Sequence, residues 1–153
     1  MSIKFIVKRF SDTGKKITDK NAALISQLAN YHPYYVQQLA QQAWLHSSKV
    51  CSKVIVEQAL ENLIMQLSLL FQNITDSLST TQINFLRAIL DDATKFSSKE
   101  NLQAYRFGTS ANVLRIKDAL INKEIIDGEN NKYYLLDPIY EHWLRNIYFK
   151  GFV

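Results

Sequence analysis

The sequence predicts a mostly α fold in two parts, a helical bundle followed by a winged-helix domain with a small two-stranded wing. The first observation is composition, because a chain of 153 residues with only four glycines and two prolines suits helices. The second is spacing, since apolar residues recur every three or four positions along most of the chain. The third is the order of elements near the C-terminus, where three helical segments precede a hairpin over residues 125–136. Three helices followed by a wing describe a winged helix.

The first half of the chain is interpreted as four helices. Residues 3–10 fall at helical spacing, with a strand as the alternative. Thr18 or Asp19 caps a second helix, because a side-chain oxygen at that position accepts from a free backbone N–H. Pro33 starts a third, since proline suits the first helical turn. After a break, residues 54–74 form one long helix.

The second half carries four more helices and the hairpin. Three of the helices are expected to begin at serine caps, which are Ser79, Ser97 or Ser98, and Ser110. The hairpin is predicted to turn at residues 128–131, and Asp137 caps the last helix with Pro138 at its first position. The polar segment before Leu78 is interpreted as a boundary, which gives domains 1–77 and 78–153.

Charge is unevenly distributed along the chain. The formal net charge is +4, and the first twenty residues alone carry six basic and two acidic side chains. Residues 78–153 carry ten basic and nine acidic side chains. Neutralisation of phosphates supplies most non-specific affinity for DNA, so a nearly neutral winged helix is a poor general DNA binder.

Features of a secreted or membrane protein are not evident in the sequence. The single cysteine, Cys51, excludes an internal disulfide. The N-terminal residues lack the pattern of a signal peptide, and no apolar run approaches the length that spans a bilayer. We therefore expect a cytoplasmic protein with no membrane partner.

Several short segments, taken in order, carry a resemblance to a known family. They are Phe10, Thr13-Gly14-Lys15, His32-Pro33-Tyr34-Tyr35-Val36-Gln37-Gln38-Leu39-Ala40, Trp44, Leu78-Ser79-Thr80-Thr81-Gln82, Ile125-Ile126, Tyr134-Leu135-Leu136-Asp137-Pro138 and Trp143-Leu144-Arg145. With these segments the chain resembles the C-terminal part of archaeal-type AAA+ ATPases of the STAND clade. The resemblance implies that residues 1–77 are a helical lid and residues 78–153 a winged helix. It also implies a partner, an ATPase core that precedes Met1, and it implies ATP or ADP with magnesium for that parent protein but no cofactor for this chain.

A phosphate-binding loop is absent from the sequence. Such a loop needs a glycine-rich turn followed by lysine and a hydroxyl residue. Gly14-Lys15-Lys16 lacks both the upstream glycine and the hydroxyl residue, and the other three glycines have no such pair after them. The chain by itself is therefore expected not to be an enzyme, and no catalytic residue is assigned.

The resemblance implies a nucleotide-proximal role for His32 and Pro33. In related proteins a proline at this place packs against the nucleotide base. The alternative is a helix-starting proline that follows a loop histidine. The segment from Pro33 to Ala43 contains no arginine or lysine that would sense a phosphate.

The third helix of the winged helix and the wing are the candidate DNA- or partner-binding surfaces. Their outward side chains are predicted to include Ser110, Asn112, Arg115, Asn130, Asn131 and Lys132. Arginine and asparagine read guanine and adenine edges in the major groove of double-stranded DNA. The alternative is an ordinary solvated face, and Asp118 would repel phosphate. No metal site is predicted, because the three histidines and Cys51 lack the spacing of metal ligands.

These observations predict a non-catalytic C-terminal regulatory fragment of an AAA+ ATPase, in which the lid contributes to nucleotide binding and the winged helix binds DNA or a protein. One alternative is a free-standing winged-helix DNA-binding regulator. Another is a protein-interaction or autoinhibitory module.

Overall fold

The computed structural model describes residues 1–150 and divides the chain into two units. The first unit is Met1–Ser68, and the second begins at Leu69. Each is described separately below. The predicted fold class is confirmed, since eight α-helices and one two-stranded antiparallel sheet account for most of the described chain.

The first unit consists of helices with one short parallel strand pair. Its elements in order are α1 Ile3–Asp12, β1 Lys16–Ile17, α2 Asp19–Leu28, α3 Pro33–His46, β2 Val50–Cys51 and the first part of α4 Lys53–Asp76. The helical interpretation of the first segment is confirmed, with Ile6 and Phe10 buried. Thr18 caps α2 by accepting from the backbone N–H of Asn21, and α3 begins at Pro33 as predicted.

The strand pair was not predicted from the sequence. Ile17 pairs with Cys51, and both side chains are buried. The backbone N–H of Lys16 also donates to the carbonyl oxygen of Lys49, at 2.8 Å. Each strand has two residues, which is too short for an alternating pattern to be recognised.

The second unit has the element order of a winged helix. After the end of α4 come α5 Thr80–Leu90, α6 Lys99–Ala104, α7 Ser110–Asn122, β3 Ile126–Glu129, β4 Lys132–Leu135, α8 Pro138–Trp143 and a π-helical turn Leu144–Tyr148. Ser79 caps α5 in a reciprocal capping box with Gln82. Ser98 caps α6, and Asp137 caps α8 through two backbone N–H groups.

Two local predictions in this unit were wrong. The cap of α7 is Thr109, whose hydroxyl accepts from the backbone N–H of Asn112, so Ser110 is the first residue of the helix. The hairpin turn is also shorter than predicted, because Gly128 and Glu129 belong to β3. Asn130 and Asn131 alone form the turn, with φ values of +55° and +61° that asparagine tolerates.

The boundary between the units lies inside α4, whereas the sequence placed it between residues 77 and 78. The last two turns of α4 belong to the second unit. Phe71 is buried against the rings of Tyr140 and Trp143, with centroid distances of 5.2 and 6.0 Å. The Thr75 hydroxyl lies 2.7 Å from that of Tyr140. These contacts hold the end of α4 in the core of the winged helix.

One helix is longer and more apolar than the sequence analysis expected. α4 has 24 residues, and its most apolar window of 18 residues has a mean hydropathy of 1.4, which suffices by length and composition to cross a membrane. The statement that no segment approaches that length was therefore wrong. Core helices of soluble proteins meet the same criterion, and α4 contributes Val56, Ala59 and Leu63 to the buried residues of the first unit.

Candidate partner-binding surfaces

The outward face of α7 is mixed in character. Val113, Ile116 and Leu120 are buried, which fixes the opposite side of the helix toward solvent. Arg115 is exposed there as predicted, and Asp118 is exposed close to it in the sequence. Leu114 stands on the same side with 55% of its surface exposed. The face therefore offers an apolar side chain flanked by one positive and one negative charge.

The side chain of Asn112, which was predicted to recognise adenine, forms a hydrogen bond within the winged helix. Its side-chain amide donates to the carbonyl oxygen of Phe107 at 2.6 Å, and its backbone N–H donates to the Thr109 cap. The side chain is only partly exposed. Asn112 thus holds the loop before α7, and its role in the structure is local. Ser110 is exposed at the start of the helix.

The wing carries more acid than base. Asn130, Asn131 and Lys132 are exposed at and beside its tip, as predicted. Asp127 and Glu129 are exposed on β3, where they pair in register with Tyr134 and Lys132. Tyr134 has 52% of its surface exposed. Tyr133 points the other way, to the rings of Phe85 and Phe96.

Residues 110–135, which hold α7 and the wing, carry four basic and four acidic side chains. One of the basic groups, the ammonium of Lys117, lies 3.0 Å from the Asp118 carboxylate, and the Lys117 side chain is only 22% exposed. The whole second unit from Leu69 onward carries ten of each sign. The second unit therefore has no net positive charge that would attract a polyanion such as DNA.

Leu114 and Tyr134 are exposed residues that were not among the predicted binding residues. The sequence grouped Leu114 with the apolar residues of α7 and expected Tyr134 to pack the wing against the last helix, with a partner surface as the alternative for some of these aromatic residues. The signal for their exposure was the helical or strand period, which turns both positions outward. The predicted binding residues of the second unit lie on two elements, α7 with Ser110, Asn112 and Arg115, and the wing with Asn130, Asn131 and Lys132. His32 and Pro33 belong to the other unit.

His32 and Pro33 stand at the exposed start of α3. His32 is the N-cap residue, without a side-chain capping bond, and its ring lies 5.1 Å from that of Tyr35. Tyr31 precedes it in a left-handed conformation, with a φ of +58° and 66% of its surface exposed. Tyr34 is 59% exposed. This end of α3 presents rings to solvent.

No group of three His, Cys, Asp or Glu side chains in residues 1–150 is placed to hold a metal ion. Burial raises the pKa of the Cys51 thiol, which disfavours the thiolate form.

Comparison with known proteins identifies the second unit. A family model described as "Probable winged helix domain" matches residues 69–146, which begin at the first residue of that unit. No curated protein and no solved structure matches the chain. The matched range covers just over half of the 153 residues and includes α5, α7 and both strands of the wing. The chain therefore belongs to the family of the probable winged helix domain.

Proposed function

We propose that the winged helix of this chain binds a protein partner, as the regulatory part of an AAA+ ATPase. The observation that carries the first half of the proposal is the balance of charge on α7 and the wing, beside the exposed side chains of Leu114 and Tyr134. Protein interfaces are enriched in aromatic residues and arginine relative to the rest of the surface. Arg115 and Tyr134 are exposed residues of these enriched types.

DNA fits the same face poorly. A winged helix that reads DNA neutralises several phosphates around its base contacts. Here Asp118, Asp127 and Glu129 are exposed near the basic groups, and Lys117 is paired with Asp118. The hydrogen bond from the Asn112 amide to the Phe107 carbonyl oxygen also occupies one of the groups that would read adenine.

Photo-crosslinking tests the class of partner directly. A photoreactive amino acid in place of Leu114 is expected to give adducts in cells that nuclease leaves intact. The same amino acid in place of Glu100, which is exposed on α6, is the matched control. Adducts from position 114 that nuclease removes would establish DNA as the partner instead.

Fluorescence anisotropy with a labelled random duplex gives an independent answer. We expect no binding that survives physiological salt, because the second unit has no net charge. Salt-resistant binding that Arg115→Ala weakens would favour the free-standing DNA-binding regulator.

The second half of the proposal, the ATPase, rests on the resemblance and on the start of α3. The exposed Pro33 and the rings of His32, Tyr34 and Tyr35 offer a surface against which a purine base packs. α3 contains no lysine or arginine, so these residues would contact the base and leave the phosphates and magnesium to the core. In the protein that carries the core, Pro33→Ala is expected to weaken ADP binding while Lys49→Ala, on the loop before β2, leaves it unchanged. Equal affinities of the two variants for ADP would contradict the proposal that the first unit contacts the nucleotide.

A further inference from the structure

A groove lies between α1 and α3 of the first unit, and neither His32 nor Pro33 belongs to its lining. Its cavity volume is about 520 Å³. Phe5, Arg9 and Thr13 line one wall at successive turns of α1 and its end, and Gln37, Gln41 and Trp44 line the other. The buried side chains of Ile6 and Phe10 form its floor. Phe5 is 46% exposed, so an apolar ring stands open to solvent at the edge.

The tryptophan wall of the groove is fixed in place. The indole N–H of Trp44 donates to the Thr13 hydroxyl at 2.8 Å. The Lys15 ammonium lies 4.0 Å from the centroid of the Trp44 ring and donates to the Trp44 carbonyl oxygen at 2.6 Å. A wall that is already ordered loses little side-chain entropy when a ligand docks.

The charged side chains at the groove are basic. Arg9 is an exposed residue of its lining, and Lys15 lies against the Trp44 ring of the opposite wall. The Arg9 guanidinium lies over the Phe5 ring, 5.8 Å from its centroid, and no salt bridge within residues 1–150 engages it. Asp12 is the acidic residue of α1, and its carboxylate is paired with Lys8 at 2.8 Å. An incoming carboxylate therefore meets unbalanced positive charge beside an apolar recess.

We propose that this groove is the docking site for an acidic amphipathic helix of a partner protein. The lining stripes on α1 and α3 each extend over about two helical turns, roughly 12 Å, which suits a short helix lying in the groove. Its apolar side chains pack between Phe5 and Trp44, and its carboxylates face Arg9. Gln37 and Gln41 offer amide donors on the opposite wall. The positive charge of Arg9 and Lys15 selects an acidic helix over a neutral or basic one.

Nucleic acid is the competing polyanion, and the groove suits it less well. Phosphate recognition needs several basic groups on an accessible surface. Here Arg9 is the one basic residue that lines the groove itself, and the other lining side chains are apolar or uncharged. This proposal does not depend on the function proposed for the winged helix.

The test uses the whole chain and two synthetic peptides. One peptide is an amphipathic helix of leucine and glutamate in helical register, and the other is a scrambled sequence of the same composition. The probe is the indole N–H signal of Trp44 in ¹⁵N NMR spectra, assigned by its loss in Trp44→Phe. We expect the helical peptide to shift this signal with saturation and the scrambled peptide to leave it unmoved.

Two substitutions locate the site. Arg9→Glu reverses the exposed charge in the lining and is expected to weaken binding about tenfold, and Gln41→Glu adds a repelling charge on the other wall with a smaller effect. Lys20→Glu is the matched control, because it makes the same charge reversal at an exposed position of α2 outside the groove. Both lining positions are exposed, so thermal unfolding should be unchanged.

Three results would overturn the proposal. They are equal shifts from both peptides, equal losses from Arg9→Glu and Lys20→Glu, and a Trp44 shift produced by a random DNA duplex but not by the helical peptide. The last would assign the groove to nucleic acid.

Discussion

At the scale of single residues, one buried hydrogen bond joins α4 to α8. The Thr75 hydroxyl donates to the carbonyl oxygen of Phe71 at 2.8 Å, so the Tyr140 hydroxyl must donate to the Thr75 oxygen. Thr75→Val keeps the shape of the side chain and removes that acceptor from a buried phenol. Leaving a buried polar group unsatisfied costs about 1–3 kcal/mol, so we expect the free energy of unfolding in urea to fall by that amount.

A double-mutant cycle separates this hydrogen bond from packing. Tyr140→Phe removes the donor and leaves no unsatisfied group on either side, because Thr75 still donates to Phe71. We expect it to cost less than Thr75→Val. In the double variant the two losses should not add, since both remove the same interaction. Strict additivity would mean that the two hydroxyls do not interact.

The raised pKa values of two tyrosines predict how the free energy of unfolding changes at alkaline pH. Burial raises the pKa of Tyr140 from 10.0 to about 12. Burial also raises the pKa of Tyr105 to about 12, and its hydrogen bond to the Asp91 carboxylate, at 2.8 Å, acts in the same direction. A raised pKa keeps the phenol protonated in the folded chain at a pH at which the unfolded chain has already lost that proton. The two phenols therefore contribute their full stabilisation of the folded state below about pH 10, and that contribution is lost as the pH rises to about 12.

The measurement is the free energy of unfolding between about pH 9 and about pH 12, for the natural chain and for Tyr105→Phe/Tyr140→Phe. The natural chain should lose stability more steeply over this interval than the double variant. Parallel curves would show that neither phenol is shifted by folding.

At the scale of elements, helix starts depend on which hydroxyl occupies the cap. Thr109 accepts from the N–H of Asn112, whereas Ser110 lies inside α7 and is exposed. Thr109→Ala is therefore expected to cost about 1 kcal/mol of stability and Ser110→Ala much less. Chemical denaturation of the two variants measures the difference. A larger loss from Ser110→Ala would restore the start predicted from the sequence.

The same example shows what local patterns can and cannot predict. The start at Pro33 was predicted correctly, because the ring of proline suits the first helical turn. Helix starts at Ser79 and Asp137 were also predicted correctly, and Ser98 was one of the two caps offered for α6, because each depends on a side chain and a backbone N–H a few residues away. At 109–110 two adjacent hydroxyls satisfied the same rule, and only the backbone conformation distinguishes them. The pairing of Ile17 with Cys51 joins distant positions and has no local signal.

Gly128 and Asn112 illustrate the same limit at the candidate site. Gly128 was expected in the turn, but it lies within β3 with a φ of +126°, where a Cβ atom would collide with the carbonyl oxygen of Lys132. Asn112 was predicted to face outward, and helical spacing supported this. Its amide is instead held by Phe107, a contact that depends on the path of the loop before α7.

At the scale of the whole molecule, the two units differ in net charge. Residues 1–68 carry eight basic and four acidic side chains, while the remainder of the chain is balanced. The net positive charge of the protein is thus confined to the unit that carries the groove between α1 and α3. An acidic partner is expected to approach the first unit, and a less charged partner is expected at the winged helix.

The position of the boundary inside α4 predicts how the chain can be cut. A fragment that begins at Leu69 retains Phe71 and Thr75, whereas a fragment that begins at Leu78 loses both. In the shorter fragment the rings of Tyr140 and Trp143 lose the Phe71 ring that covers them, and removing a buried phenylalanine costs about 3–5 kcal/mol, a large share of the stability of a small domain. We therefore expect cooperative thermal unfolding by circular dichroism for the fragment from Leu69 and a much lower midpoint, or no transition, for the fragment from Leu78. Phe71 and Thr75 are each 0% exposed in the folded chain, which is why we expect the two midpoints to differ. Equal midpoints would instead place the start of the winged helix at the boundary predicted from the sequence and would make the end of α4 a linker.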